Sequence, residues 1–242
     1  MTIYAKSLLK NRGKPGHGSN TRNSDAWESI KKHNSIFNNP INGNSSANHP
    51  WFYKSSSIAA HHIIPIECMQ NSIKWERLCK VTGYNINHWR NISILPMCSK
   101  LACQLGVQIH IGPHDAGRYG TSNYIQGVKN KIAYILDDLD EGELCDESLS
   151  DIVKEIDNIS KNILSDIDNF SCTISRLGTD YDKGRLGCRN LSKNESEKFV
   201  KDALITTCTH RKKDNLGLGH NLIHLFKNNL IITKKGKLKV GH

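Results

Sequence analysis

A chain of 242 residues, 37% hydrophobic and 23% charged, can bury a real core as one large domain or two small ones, and no apolar run approaches the roughly 18 residues of a membrane span. Its eight cysteines include no C-x-x-C pair, which removes zinc-finger and disulfide frameworks and leaves free thiols in a reducing compartment as the reading. The formal net charge of +10 suits a partner of polyanions such as nucleic acid.

That charge is unevenly spread: residues 1–100 carry +9, residues 101–170 carry −8, and residues 171–242 carry +9. The opening Met1–Lys10 has no sustained apolar stretch, so no secretory signal peptide is expected, and export would need a dedicated machine. Residues 1–57 form a basic, loop-rich segment, because Asn, Ser and Gly satisfy the backbone locally and favour turns. A short helix is expected near Asp25–His33, capped by Ser24. His17, His33 and His49 read as solvated loop histidines, since no spacing ties them together.

A second region, 58–170, holds most of the chemistry-bearing residues. Ser57–Pro65 reads as a strand carrying Ala60-His61-His62. Adjacent strand residues face opposite sides, so one imidazole can face a metal while the other faces a substrate. Ser72–Thr82 is expected to be a helix with Ile73, Leu78 and Val81 on its apolar side, stopped by Gly83. Ile92–Leu95 is a second strand, closed by Pro96 and preceded by Asn91. His110 and His114 are four residues apart, the spacing that puts two imidazoles on one helix face. Gly112-Pro113 suits a first helical turn, so the helix carrying His114 is expected to begin there, with His110 just before it. The order is then β–β–α.

From Ser122 the period becomes helical: Tyr124, Val128, Ile132, Ile135 and Leu139 make one stripe, and Leu149, Ile152, Ile156, Ile159, Ile163 and Ile167 make another. The two helices are expected to pack as a hairpin, with the acidic run Asp137–Glu155 on its solvated face. The third region, 171–242, is a basic C-terminal extension. It has turns around Gly178, Gly184 and Gly187, a capping box Ser192–Glu195 opening a helix to about Cys208, and a β-hairpin over Leu230–Val240 with a lysine-rich tip. His210, His220 and His224 have no identifiable further ligand and read as structural.

Three motifs, in order, carry a family resemblance: Ala60-His61-His62, Asn91 ahead of an apolar strand, and His110-Ile111-Gly112-Pro113-His114 with Tyr119 nearby. Together with the lead-in Gly83-Tyr84-Asn85-Ile86-Asn87, they resemble the AHH branch of the HNH/endonuclease VII superfamily. The resemblance covers about sixty residues plus the following helix; residues 1–57 and 170–242 lie outside it. It implies an α+β fold in which a ββα-metal (His-Me) finger is embedded in a mainly helical domain. It further implies one divalent metal ion bound by His61, His110 and His114, with His62 as general base. Asn91 would hold the His62 imidazole in register through the neighbouring backbone. Histidine ligands favour Zn²⁺ or another late transition ion such as Ni²⁺, whereas Mg²⁺ or Mn²⁺ suits turnover. Arg90 and Arg118 stand close to these motifs but match none of them.

The activity implied is metal-dependent phosphodiester hydrolysis, with DNA as the expected substrate and RNA as a further one. The AHH branch is common among toxin and effector domains delivered into rival bacteria. That implies a secretion apparatus or carrier, a cognate immunity protein in the producer's cytoplasm, action in the target-cell cytoplasm, and no membrane partner. Two other readings share the residues: a non-catalytic nucleic-acid-binding module with a structural metal, and a housekeeping or mobile-element HNH endonuclease.

Overall fold

The computed structural model describes residues 18–20, 30, 49, 51, 58–97, 102, 107–111, 113–141, 148–174, 185–186, 191–192 and 238–242. Within them the architecture is α+β, mixing helices with small sheets. Strand β1, Ile58–His62, pairs antiparallel with β2, Ile92–Pro96, so that His61 stands opposite Ser93 and His62 opposite Ile92. Pro96 falls at the end of its strand, where a missing N–H costs no ladder bond. All of β2 is buried, as expected of a strand covered on both faces.

The far edge of β2 is covered by residues 238–242. The Ile94 N–H donates to the His242 carbonyl at 2.8 Å, and the Gly241 N–H donates to the Ile92 carbonyl at 2.6 Å. The Ser93 hydroxyl adds a bond to the Lys239 carbonyl at 3.1 Å. The expected hairpin over 230–240 otherwise lies outside the described residues.

Helix α1, Ile73–Thr82, fills the connection between β1 and β2. Ser72 caps it by accepting from the Trp75 N–H, and Gly83 ends it in the left-handed region at φ 70°. Its buried face is Trp75, Leu78, Cys79 and Thr82, an i, i+3, i+4, i+7 stripe. This corrects the expected stripe: Ile73 and Val81 are 69% and 52% exposed, because at 100° per residue Ile73 lies opposite the centre of the buried face and Val81 beyond its edge.

A second correction concerns His114, which is not on a helix. Pro113 is extended, with φ −71° and ψ 145°, and His114–Ala116 makes a single 3₁₀ turn. A small hairpin follows, β3 Arg118–Tyr119 and β4 Ser122–Asn123, before helix α2, Tyr124–Glu141. Gly120 sits at φ 62° and turns the chain. Only then does Asn123 offer its Oδ1 to the Gln126 N–H at 2.8 Å, capping the helix. Gly127 allows α2 to lie against β3, since a Cβ there would come within 2.4 Å of Tyr119 Cβ.

Helix α3 spans Leu149–Asp168. Tyr124, Val128, Ile132 and Ile135 of α2, and Ile152, Ile156, Ile159, Ile163 and Ile167 of α3, are all buried, as their periodicity requires. The two helices run antiparallel, tied by Lys131–Asp166 at 3.5 Å and by the Tyr134 hydroxyl donating to Glu155 at 2.6 Å. From α3 the chain enters β5, Cys172–Thr173, which pairs with β3. Farther on, β6, Arg185–Leu186, pairs with β7, Leu191–Ser192. Ser192 thus ends a strand; the helix expected after it lies outside the described residues. The same is true of His17, His33, His210, His220 and His224. Cys68, Cys79 and Cys172 are buried free thiols, and burial pushes Cys68 and Cys79 up to about 12, which makes them inert at neutral pH.

A third correction is His49, which is buried rather than solvated. Its Nδ1 accepts from the Trp51 N–H at 3.1 Å, and the two rings meet edge to face. Burial first, and then the nearby His242, lower its pKa to about 3. The unfolded chain takes up a proton below pH 6.5 that the folded chain refuses. This contribution to stability is therefore whole above that pH and falls by about 1.4 kcal/mol per unit below it. His49→Asn keeps an acceptor for the Trp51 N–H but cannot titrate. Urea unfolding at pH 7 and pH 5 is expected to show the variant losing roughly 1–2 kcal/mol less than the parent; an identical acid loss would contradict a neutral buried His49.

Candidate metal centre and active site

Three separate pieces of backbone bring His61, His110 and His114 together. His61 is an inward residue of β1, with 0% exposure. His110 follows the end of β2, its N–H donating to the Pro96 carbonyl at 2.7 Å. His114 opens the 3₁₀ turn after Pro113. The ring centroids are 4.9, 5.0 and 5.2 Å apart, and one nitrogen of each ring lies within 4.8 Å of the others. Three nitrogens each held about 2.1 Å from one tetrahedral ion stand about 3.4 Å apart, so ring movements of roughly an ångström would close the set.

The local electrostatics suit a cation. Burial, then the neighbouring His110, His114 and His62, hold the His61 pKa well below the ordinary histidine value, so its imidazole is neutral, the form that ligates metals. Both ring nitrogens of His61 are buried and have no hydrogen-bond partner among the described residues. An unsatisfied buried polar group costs on the order of 1–3 kcal/mol, and a bound ion would satisfy the ring nitrogen that carries the lone pair. His114 Nδ1 lies 2.7 Å from the Ile174 carbonyl. That contact requires a hydrogen on Nδ1 and leaves the Nε2 lone pair for a ligand. Tyr124, fully buried behind the trio, spends its hydroxyl on the Ile63 carbonyl at 2.7 Å and supplies an aromatic wall. The residues present therefore fit a metal ion.

His62 lines an open cavity of about 380 Å³ whose wall also includes His110 and His114. Its Nε2 lies 3.1 Å from Asn87 Oδ1. Asn91, 1% exposed, does not enter the cavity. Its Oδ1 accepts from the Ile64 N–H at 2.8 Å, and its Nδ2 donates to the carbonyls of Ile64 and Ile86 at 3.1 and 3.0 Å. Ser160 of α3 donates to the same Oδ1 at 3.1 Å. Asn91 thus clamps the backbone two residues beyond His62.

Neither nearby arginine lines this cavity. Arg90 pairs with the buried Asp157 at 3.1 Å and stacks on Trp89, tying the Asn91 turn to α3. Arg118 is exposed on β3. Among the described residues, the charged side chains on the cavity wall are Glu67 and Asp115, which no sequence motif singles out. Asn87 was also missed as a partner of His62. Asn87 belongs to the lead-in Gly83–Asn87 that carries part of the family resemblance, but nothing in that stretch ties it to His62.

A family model described as a nuclease family of the HNH/ENDO VII superfamily with conserved AHH matches residues 42–163. The match takes in β1 through most of α3, and with them His61, His62, Asn91, His110 and His114. Neither the curated proteins nor the solved structures provide a match.

Calorimetric titration of metal-free protein with Zn²⁺ is expected to give one equivalent bound, with a higher melting temperature. At a hundredfold excess over Kd the gain is about 2.7 kcal/mol. His61→Ala and His114→Ala should each abolish the transition, whereas His49→Asn should retain it. Retention of full affinity by either of the first two would mean that the trio does not share an ion.

Proposed function

Because the chain belongs to the AHH nuclease family of the HNH/endonuclease VII superfamily, we propose that it is a metal-dependent endonuclease acting on DNA. The observation that carries this reading is the juxtaposition of the His61, His110 and His114 trio with His62 beside one open cavity. In this reading β1, β2 and α2 are the ββα-metal finger, with the 3₁₀ turn and the β3–β4 hairpin inserted ahead of its helix.

His61, His110 and His114 would hold a divalent ion, which supplies Lewis-acid stabilisation of charge on the scissile phosphate and the leaving oxygen. Zn²⁺ or Ni²⁺ suits the three imidazoles for affinity, and Mg²⁺ or Mn²⁺ suits turnover. His62 is the general base. It takes a proton from a water molecule as the water oxygen bonds to phosphorus. The bond from phosphorus to the 3′ oxygen breaks, and that oxygen takes up a proton from solvent. Asn91 holds the turn after β1 and keeps His62 aimed at the cavity. RNA shares the same backbone chemistry, so parallel assays with DNA and RNA define the substrate.

The biological setting rests on the resemblance. In this reading the chain is a DNase effector, made in a producer's cytoplasm alongside a cognate immunity protein. A secretion apparatus or carrier delivers it into the cytoplasm of rival bacteria. Growth arrest on expression of the chain alone, relieved by a neighbouring gene, separates this role from that of a housekeeping or mobile-element endonuclease, for which expression would be harmless.

Plasmid incubated with protein and Mg²⁺, Mn²⁺ or Zn²⁺ should be nicked and linearised, and a chelator should stop the reaction. His62→Ala is expected to cut about 10²–10⁴-fold more slowly while binding metal as tightly as the parent. Cleavage at the parental rate by that variant would remove His62 from the chemistry. Metal binding without any cleavage by the parent would favour the non-catalytic binding module.

A further inference from the structure

We infer, building on the reading of His62 as general base, that Asn87 is its positioning residue. A buried chain Asn85–Asn87–His62 holds the neutral imidazole as the Nε2–H tautomer and leaves the lone pair on Nδ1. The direction of the chain can be worked out from its fixed end. A backbone N–H can only donate, and that of Asn87 lies 2.9 Å from Asn85 Oδ1, so the Asn85 atom there is its oxygen. The same oxygen lies 3.2 Å from Asn87 Nδ2, so the Asn87 amide turns its nitrogen toward Asn85 and its oxygen toward His62. A carbonyl oxygen accepts and never donates. The 3.1 Å contact with His62 Nε2 therefore needs a hydrogen on that nitrogen. A neutral imidazole carries one N–H, so Nδ1 is the atom left to take a proton from water.

The support behind the chain is rigid. Asn87 is 0% and Asn85 3% exposed. Their loop is held on one side by Ser19, which exchanges 2.9 Å backbone bonds with Tyr84 and Ile86. On the other side, Asn91 bonds to the Ile86 carbonyl at 3.0 Å. A neutral amide in this place fixes the ring without adding another negative charge beside a cavity that must admit a phosphodiester. Asn91 and Asn87 then have separate roles, the first setting the backbone that follows His62 and the second setting the ring.

The test is to assign histidine tautomers by two-bond ¹H–¹⁵N correlation in the zinc-loaded, ¹⁵N-labelled chain at alkaline pH, alongside steady-state cleavage kinetics. The parent is expected to show His62 as Nε2–H. Asn87→Ala should give a mixture of tautomers and lower kcat about 10- to 100-fold, with KM and metal stoichiometry unchanged. Asn87→Asp, an acceptor of the same shape, should keep Nε2–H even if the alanine variant fails to fold. A parental His62 in the Nδ1–H form would overturn the inference, as would an Asn87→Ala variant with unaltered tautomer and kcat. His62→Ala separates the two levels. If that variant is inactive while Asn87→Ala behaves as the parent, only the positioning role falls; if it cuts normally, the nuclease mechanism falls first.

Discussion

The antiparallel register of β1 on β2 is the constraint on which the site depends. Side chains on a strand alternate faces, so a slip of one residue would exchange His61 and His62, sending the proposed ligand to the cavity and the proposed base into the core. The fold blocks that slip from several directions. Asn91 bonds to both the N–H and the carbonyl of Ile64, acting as a peptide-like clamp just past the end of β1. The Tyr124 hydroxyl takes the neighbouring Ile63 carbonyl, and residues 238–242 occupy the other edge of β2. Helix α3 reaches the same place through Ser160 and through the Arg90–Asp157 pair. The long isoleucine stripe of α3 buries that helix in the core, and the polar residues embedded in it hold the turn that carries Asn91.

Charge is divided between regions in a way that bears on how a polyanion would be handled. The cavity wall presents Glu67 and Asp115 and, among the described residues, no lysine or arginine. Residues 101–170 are net negative, while the segments before and after carry +9 each. Under the proposed function, attraction to the backbone is the work of those basic segments together with the metal. The catalytic pocket supplies chemistry rather than affinity. Screening confines the pull of exposed charges to about 8–10 Å, so the basic segments would have to lie along the substrate beside the cut to act.

Elements whose cause is local were legible in the sequence. The apolar periods of α2 and α3, the Ser72 and Gly83 boundaries of α1, and the alternation that parts His61 from His62 all follow from neighbours a few residues away. What failed was decided either by the conformation of single turn residues and the choice of one helix face, or by contacts at longer range. The spacing of His110 and His114 suggested a helix face, but extended Pro113 and the turn at Gly120 delay the helix to Tyr124. Irregular backbone between the two histidines brings their rings together just the same. Ile73 and Val81 were read as core because they are apolar, yet the stripe through Trp75 decides which side of α1 is buried. His49 looked like a loop residue because its local composition is polar; its burial comes from contacts that no local pattern announces. The hydrogen bond from His62 to Asn87 joins residues 25 positions apart and leaves no periodic trace.

The composition of the trio gives the site its character. Imidazole ligands would add no negative charge to a divalent ion held there, so its full charge would remain available to a phosphate, whereas a carboxylate ligand would neutralise part of it. His61 is buried without a hydrogen-bond partner among the described residues, and burial first, then the neighbouring imidazoles, keep a proton off it. Because the three histidines come from β1, from the segment leaving β2, and from a turn whose His114 is anchored on the Ile174 carbonyl after β5, an ion bound there under the proposed function would link three parts of the chain that regular secondary structure leaves loosely connected. Free energy released on binding would then appear partly as stability of the fold. Under the proposed function, loss of such an ion would loosen the very segments that aim His62, tying the geometry of the proposed base to the metal site beside it.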